Sequence, residues 1–327
     1  MKKIFILLSL VLISFAGFYY YLNNKIRRDF GRNINYFTKL VEGSSSNLPP
    51  NFNFIILGLD RRNDSLEKTE TTDTIIFGHF DQSETFVKLF PLPRDLWSYD
   101  LKSKINQTYP QSKTTPNRFD YISASFQKLL DQPIDRTIII TTDNLIELAN
   151  IIDGVDVNLT HGFVDEKYPN PEYIKNPNPK TPIYKTISFP AGLIHLDSKN
   201  ITEFVRSRKS AETTIAGGTD LGRIQRQALL IDALIDKLKQ PSVLLNYSRV
   251  VKLYNFWQFH LETNFTDSDL VSILKNNRKH ISRLKIEKYD ITHLLYHPNN
   301  FINPQWVFLP INNDYSKLSD FILSKIN

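Results

Sequence analysis

Residues Ile4–Leu22 form an apolar run without a single charge, followed by a basic stretch and then by short apolar segments separated by polar ones. As a helix rising 1.5 Å per residue the run is about 28 Å long, close to the hydrocarbon thickness of a bilayer. Lys2 and Lys3 precede it, and Lys25, Arg27 and Arg28 follow. Tyr19, Tyr20 and Tyr21 stand where an interfacial aromatic belt is expected. A cleaved signal peptide needs small residues at its cleavage site, and bulky Phe18 and the tyrosines favour an uncleaved anchor instead. Basic flanks alone lean towards a cytoplasmic body. From Lys25 to Asn51 the chain turns from basic to small and polar, a stalk ending in a flexible spacer. The expected organisation is a tip and anchor over 1–24, a linker over 25–51 and one compact domain over 52–327, without internal repeats.

Within that domain, Phe52–Leu59 (FNFIILGL) is an apolar run of strand length that stops at Asp60. After a polar loop, Asp73 opens a second strand, and a third, Thr85–Pro93, stops at Arg94. If the three are antiparallel neighbours, Asp60, Asp73 and Arg94 meet at one end of one sheet. Singly, each is an ordinary solvated charge at a strand end. Together, two adjacent carboxylates repel unless a cation lies between them, and hard oxygen ligands suit Mg²⁺, Mn²⁺ or Ca²⁺. Farther on, Asp135–Thr141 reads as a strand, Asp143–Ile152 as a helix capped by Asp143, and Val155–Thr160 as another strand. The proline-rich segment 161–185 reads as a loop that packs little by itself, a rim or a lid.

The segment Leu221–Lys239 predicts a helix, with Asp220 as N-cap and Pro241 beyond its end. At 100° per residue from Arg223, the residues Ile224, Ile231, Ile235 and Leu238 fall between about 60° and 120° and define a core-facing stripe. Gln225, Arg226, Asp232 and Asp236 fall on the solvent side. Arg223, Gln227 and Asp220 lie along the start of the apolar stripe, where an unpaired buried charge is costly. They either pair with one another and the sheet or line a pocket that receives an anion. Just upstream, a helix over Ser198–Val205 leads into Arg206 and Arg208. Guanidiniums are favoured where phosphate oxygens must be held by paired donors.

Composition narrows the classes. With 327 residues there is room for one large or two modest cores, and without Cys there is no disulfide scaffold and no Cys-ligated zinc or iron–sulfur site. A net charge of +6 and a pI of about 9.2 suit an anionic partner. The basic residues form no long run interleaved with aromatics, so a nucleic-acid partner is not expected. The histidines show no HExxH spacing, and neither a GxSxG elbow nor a Walker loop occurs. The aromatics of Tyr254–Phe259 read as core or groove lining.

In order and spacing, LGLD (57–60), TTDT (71–74), PLPRDLW (91–97), KIN (104–106), DGVDV (153–157), EFVRSR (203–208) and DLGRIQRQ (220–227) resemble the LytR-CpsA-Psr family. The resemblance spans most of Phe52–Lys239, with a more variable part over 241–327. It implies an α/β fold, a three-layer α/β/α sandwich with a central mixed β-sheet and a hydrophobic groove for a polyprenyl tail. It also implies a membrane-anchored enzyme with an extracytoplasmic body, opposite to the charge count. Such an enzyme transfers a glycopolymer (a teichoic acid or capsular polysaccharide) from a polyprenyl-pyrophosphate carrier to peptidoglycan through a phosphodiester bond, assisted by Mg²⁺ with Mn²⁺ as the substitute. By motif position Asp60 and Asp73 match the metal-associated carboxylates, and Arg94, Arg206, Arg208, Arg223 and Gln227 the head-group clamp. Lys104 matches a lysine near the site, and Asp220 a carboxylate that supports the arginines and activates the acceptor. The sequence QTYPQSKTTP after KIN and the proline-rich 161–185 segment depart from the family pattern and bear on acceptor or polymer specificity. Hydrolysis of the same lipid by the same clamp, and non-catalytic lipid binding, are the competing expectations.

Overall fold

The structure is a computed structural model that describes residues 2–43, 46–59, 70–83, 86–207, 220–277, 284–299, 302 and 305–326, with only the backbone for 2–13, 15, 220, 221 and 224. Its centre is a six-stranded sheet made of β1 (Phe52–Leu59), β2 (Thr72–Asp81), β3 (Phe86–Leu92), β4 (Arg136–Thr141), β5 (Glu262–Thr263) and β6 (Lys285–Lys288). The order is β5-β4-β1-β2-β3-β6. β1, β2 and β3 are antiparallel neighbours, a pairing that the short connection requires between β2 and β3, whereas β4 lies parallel to β1 and β6 parallel to β3. The sheet is therefore mixed, as expected.

The longer helices are α1 (Lys2–Phe30), α2 (Ile34–Glu42), α3 (Arg118–Leu130), α4 (Thr142–Ile152), α5 (Ile201–Arg206), α6 (Asp220–Leu238), α7 (Tyr247–Phe259), α8 (Asp267–Asn277) and α9 (Ser316–Ile326). Because strand side chains alternate, each face of the sheet has its own core. Ile55, Leu57, Phe77 and Phe90 pack on one face against Ile122 and Phe126 of α3 and Ile322 of α9. Phe54, Ile76 and Leu89 pack on the other against Ile231 of α6 and Ile273 of α8. A third cluster joins α4, α5, α6 and α7 to two antiparallel pairs, Val155–Leu159 with Gly192–Leu196 and Phe163–Pro169 with Tyr184–Phe189.

Three expectations are corrected. The 161–185 segment is no loose loop: its flanks pair as strands, and Phe163 stacks on Phe189 at 5.1 Å above Phe204 of α5. The prolines gather in the connection between the strands, where no ladder donor is needed. The cap of α4 is Thr141, whose hydroxyl accepts from Asn144 N–H while Asn144 Oδ1 accepts from Thr141 N–H, so Asp143 lies inside the helix. Within 25–51 the chain is helical up to Phe30, as the end of α1, and again over 34–42, and it rests on the body through Tyr36 and Lys275 rather than running as a free spacer. The Ile4–Leu22 run falls within α1, but most of its side chains lie outside the described ones. Among the described residues no helix is long and apolar enough to cross a membrane.

Gly78 of β2 faces Phe54 of β1 in the ladder, and a methyl group added there would lie 2.2 Å from the ring. Gly78→Ala is expected to lower stability by about 1–3 kcal/mol through overpacking. Urea unfolding measures the loss, and adding Phe54→Leu to the same chain should recover part of it, because the ring is what the methyl meets.

Candidate functional site

The β2–β3 ladder pairs Ile75 with Leu92. Two residues farther along each strand, Asp73 and Arg94 meet at the same sheet end. Arg94 Nη1 donates to Asp73 Oδ1 at 2.5 Å, and Arg223 Nη1 from α6 stands 3.9 Å from Asp73 Oδ2. Asp73 thus sits between two guanidiniums. Behind Arg94 stands Asp95, whose Oδ2 lies 3.4 Å from Arg94 Nε and whose Oδ1 accepts from Lys104 Nζ at 2.7 Å. Lys104 is brought there by the short pairing of Trp97 with Lys104. The result is an alternating row: Lys104, Asp95, Arg94, Asp73, Arg223. Asp95 was missed as a site residue, although it directly follows Arg94 in the PRD motif, because sequence spacing does not say which cation an acid meets.

α6 and α5 supply the other wall. Arg206 ends α5 and lines a cavity together with Asp73, Arg223 and Gln227. Gln227 Nε2 donates weakly, at 3.4 Å, to the carbonyl of Val205. Arg226, expected in solvent, is only 2% exposed. Its Nε donates to Phe204 O at 3.1 Å, its Nη2 donates to Ser207 O, and its guanidinium lies over the Phe163 ring. These bonds satisfy carbonyls at the end of α5, which a helix leaves without intrahelical partners. Burial, with Arg223 nearby, pulls the Arg226 pKa down to about 10, against the opposing pull of Asp165. Asp165, 2% exposed, accepts from Ser207 Oγ at 2.8 Å and secures the same turn from the hairpin side. The error about Arg226 has a plain cause: α6 is covered on two sides. Arg226, Leu230 and Leu234, four residues apart, are buried beside the hairpin layer, and Leu230 and Leu234 wall the cavity together with Ile231, Ile235 and Leu238.

That cavity holds about 370 Å³ between the sheet and α4, α6 and α7. One end carries Asp73, Arg206, Arg223 and Gln227. Asp165 and Lys167 of the hairpin also reach the cavity wall, and the rest is mostly apolar, with Ile56, Ile140, Leu148, Leu234, Leu238 and Phe256. A smaller cavity of about 230 Å³ opens on the β3 side of Asp73 and Arg223, with Arg94 and Lys288 in its wall. Such a site can hold an anion at the charged end while an attached hydrocarbon chain lies in the apolar remainder.

Of the sequence-predicted residues, Asp73, Arg94, Arg206, Arg223 and Gln227 converge, and Lys104 stands one ion pair behind. Asp60 and Arg208 lie outside the described residues; α6 begins at Asp220, whose side chain is likewise outside them. Among the described residues no group of three or more His, Asp or Glu side chains forms a cage for a metal ion.

Residues 26–320 match the LytR_cpsA_psr family. Over 316 residues the chain is 24% identical to the polyisoprenyl-teichoic acid–peptidoglycan teichoic acid transferase TagV of Bacillus subtilis (strain 168), covering 92% of this chain and 73% of TagV. The crystal structure of B. subtilis TagV superposes with a TM-score of 0.60 at 22% identity, over 84% of this chain and 97% of the other. The structure of the LytR-CPS2A-psr family protein YwtF (TagT) with bound octaprenyl pyrophosphate lipid gives a TM-score of 0.55 at 16% identity, over 86% and 94%. At such identities the structural likeness speaks to the fold, and the match over residues 26–320 speaks to descent: the chain belongs to the LytR-CpsA-Psr family.

Proposed function

We propose that this protein transfers a glycopolymer from a polyprenyl-pyrophosphate carrier to peptidoglycan, forming a phosphodiester bond. One observation carries the reading: Asp73, Arg206 and Arg223 line the same cavity of about 370 Å³ whose wall is otherwise mostly apolar. A pyrophosphate joined to a hydrocarbon tail has that same polarity. The related protein solved with octaprenyl pyrophosphate and the teichoic acid transferase TagV support it.

In this reading Arg206 and Arg223, with Arg94 beside them, neutralise charge on the pyrophosphate, and Asp73 and Asp95 hold the arginines against their mutual repulsion. Phosphoryl transfer asks little covalent work of a protein; positioning and charge stabilisation carry it. A sugar hydroxyl of the acceptor bonds to the phosphorus next to the glycan, and its proton passes to Asp220. The bridging P–O bond breaks, and polyprenyl phosphate leaves with the electron pair. Mg²⁺ is typically held by one or two carboxylates plus substrate phosphates rather than by an all-protein cage. Asp73, with Asp60, suits a cation that arrives with the donor, where it would add charge neutralisation at the phosphates. The Ile4–Leu22 run would keep the enzyme in the bilayer where its donor resides, with the body on the side of the wall.

Labelled lipid-linked donor incubated with peptidoglycan tests the reading. Wall-linked product is expected; free glycan phosphate alone would convert the enzyme into a hydrolase. Arg206→Lys keeps the charge but loses the planar pair of donors, and turnover should fall roughly 10- to 100-fold, the equivalent of one charge-assisted contact. Asp95→Asn should lower kcat more than it raises KM, because it unseats Arg94 and Lys104 without touching the tail cavity; an equal effect on both would contradict the positioning role. Chelation followed by titration with Mg²⁺ should suppress and then restore turnover. Donor binding measured in parallel should weaken if the cation bridges the phosphates.

A further inference from the structure

α7 works on two sides. Phe256 lines the apolar end of the tail cavity, and Leu253 packs beneath it. Another face of the same helix holds the segment that leads to the predicted membrane anchor. Tyr247 Oη donates to Asp29 Oδ2 at 2.8 Å, Asn255 Nδ2 donates to the Asp29 carbonyl at 3.2 Å, and Lys25 Nζ lies 4.8 Å above the Tyr247 ring. Phe30 fits edge-on among Tyr247, Tyr254 and Phe37, with centroids 5.3–6.1 Å away.

α2 is held by a second knot. Asp267, in the first turn of α8, accepts from Tyr36 Oη at 2.5 Å, from Tyr254 Oη at 3.0 Å and from Gln258 Nε2 at 2.6 Å. Burial and the Asp267 carboxylate push both tyrosines upward in pKa, so both remain donors at neutral pH. Lys275 Nζ donates to Val41 O at 3.0 Å. Ser46 Oγ donates to Asp269, which is itself paired with Arg136 of β4, so the tie reaches the central sheet.

What α1 and α2 leave uncovered is as specific as what they bury. Ile26, Phe30, Ile34, Phe37 and Val41 line an open apolar trough of about 520 Å³ between the two helices. Thr38 and Glu42 complete the lining, and Arg27, Arg28 (paired with Asp29), Arg32 and Lys39 are exposed on the same two helices and the turn between them. An apolar face bordered by cations is the pattern of a helix lying in a bilayer interface, and clustered Lys and Arg there select anionic lipid. The trough is continuous with α1, which carries the apolar Ile4–Leu22 run.

We infer that the α1–α2 elbow is a seat on an anionic bilayer surface, clamped to α7 and α8 so that the apolar end of the tail cavity is held at the membrane. The inference rests on the membrane-anchored reading above and adds a rigid coupling to it. A polyprenyl tail could then pass from the bilayer to the cavity beneath α7, while the charged end stays turned towards the acceptor.

The chain has no Cys, so Thr38→Cys or Val41→Cys in the full-length protein provides a unique attachment point for an environment-sensitive fluorophore. In vesicles of phosphatidylcholine with phosphatidylglycerol, emission is expected to shift to the blue relative to phosphatidylcholine alone. Replacing Arg27, Arg28 and Arg32 with Gln should abolish the difference. Equal emission in both vesicles, with the protein inserted in each, would overturn the seat, and would do so without any donor present, leaving the transferase reading untouched. The clamp is read separately with Tyr36→Phe and Asp267→Asn. Turnover of a long-chain donor embedded in the bilayer should drop several-fold, while turnover of a water-soluble short-chain donor stays at the wild-type value. Unchanged turnover of both donors, or an equal loss of both, would overturn the coupling.

Discussion

The site depends on one carboxylate placed between two guanidiniums. Arg94 and Arg223 come from a strand end and from a helix that are distant in sequence, and their charges repel at the separation the site demands. Asp73, at 2.5 Å from one and 3.9 Å from the other, makes that approach tolerable. Removing one partner from such a partly buried group leaves the other charges uncompensated, which costs far more than a surface pair is worth. The alternation continues through Asp95 to Lys104, so the positive potential at the cavity mouth is assembled from paired charges rather than from bare ones.

The same economy shapes α6. A helix that is buried on only one side needs one apolar stripe; α6 serves three neighbours. Ile231, Ile235 and Leu238 wall the cavity, Leu230 and Leu234 anchor the hairpin layer, and Arg223 and Arg226 in its first turns face the site and the end of α5. Arg226 does not line the cavity. It holds the backbone carbonyls of Phe204 and Ser207, which flank Arg206, while Asp165 supports Ser207 from the opposite layer. The proline-rich connection between Pro169 and Tyr184 therefore hangs from a strand pair that, through Asp165, secures the turn after Arg206.

Much of the central sheet was legible from sequence because its signals are local. An apolar run that opens at Asp73 and, after a short turn, one that stops at Arg94 force antiparallel neighbours, and the ladder then carries both charges to one end. The C-terminal limit of α6 followed from Pro241 and from its apolar period. The capping of α4 was misread by two residues, since Thr141 and Asp143 both have capping chemistry and only the reciprocal bond with Asn144 decides between them.

The sequence by itself determined the strand order of the first three strands, the charged groups at their ends, the family and the sense that a helix with polar residues on an apolar stripe must line something. Tertiary structure alone decided that Arg226 is buried, that Asp95 joins the row, that the 161–185 segment is pinned at its flanks and that α1 and α2 lie against α7 and α8. The reason is physical. Periodicity records how a segment divides its own surface, whereas burial of a polar face depends on which distant segment covers it and whether that segment brings a matching carbonyl, carboxylate or ring.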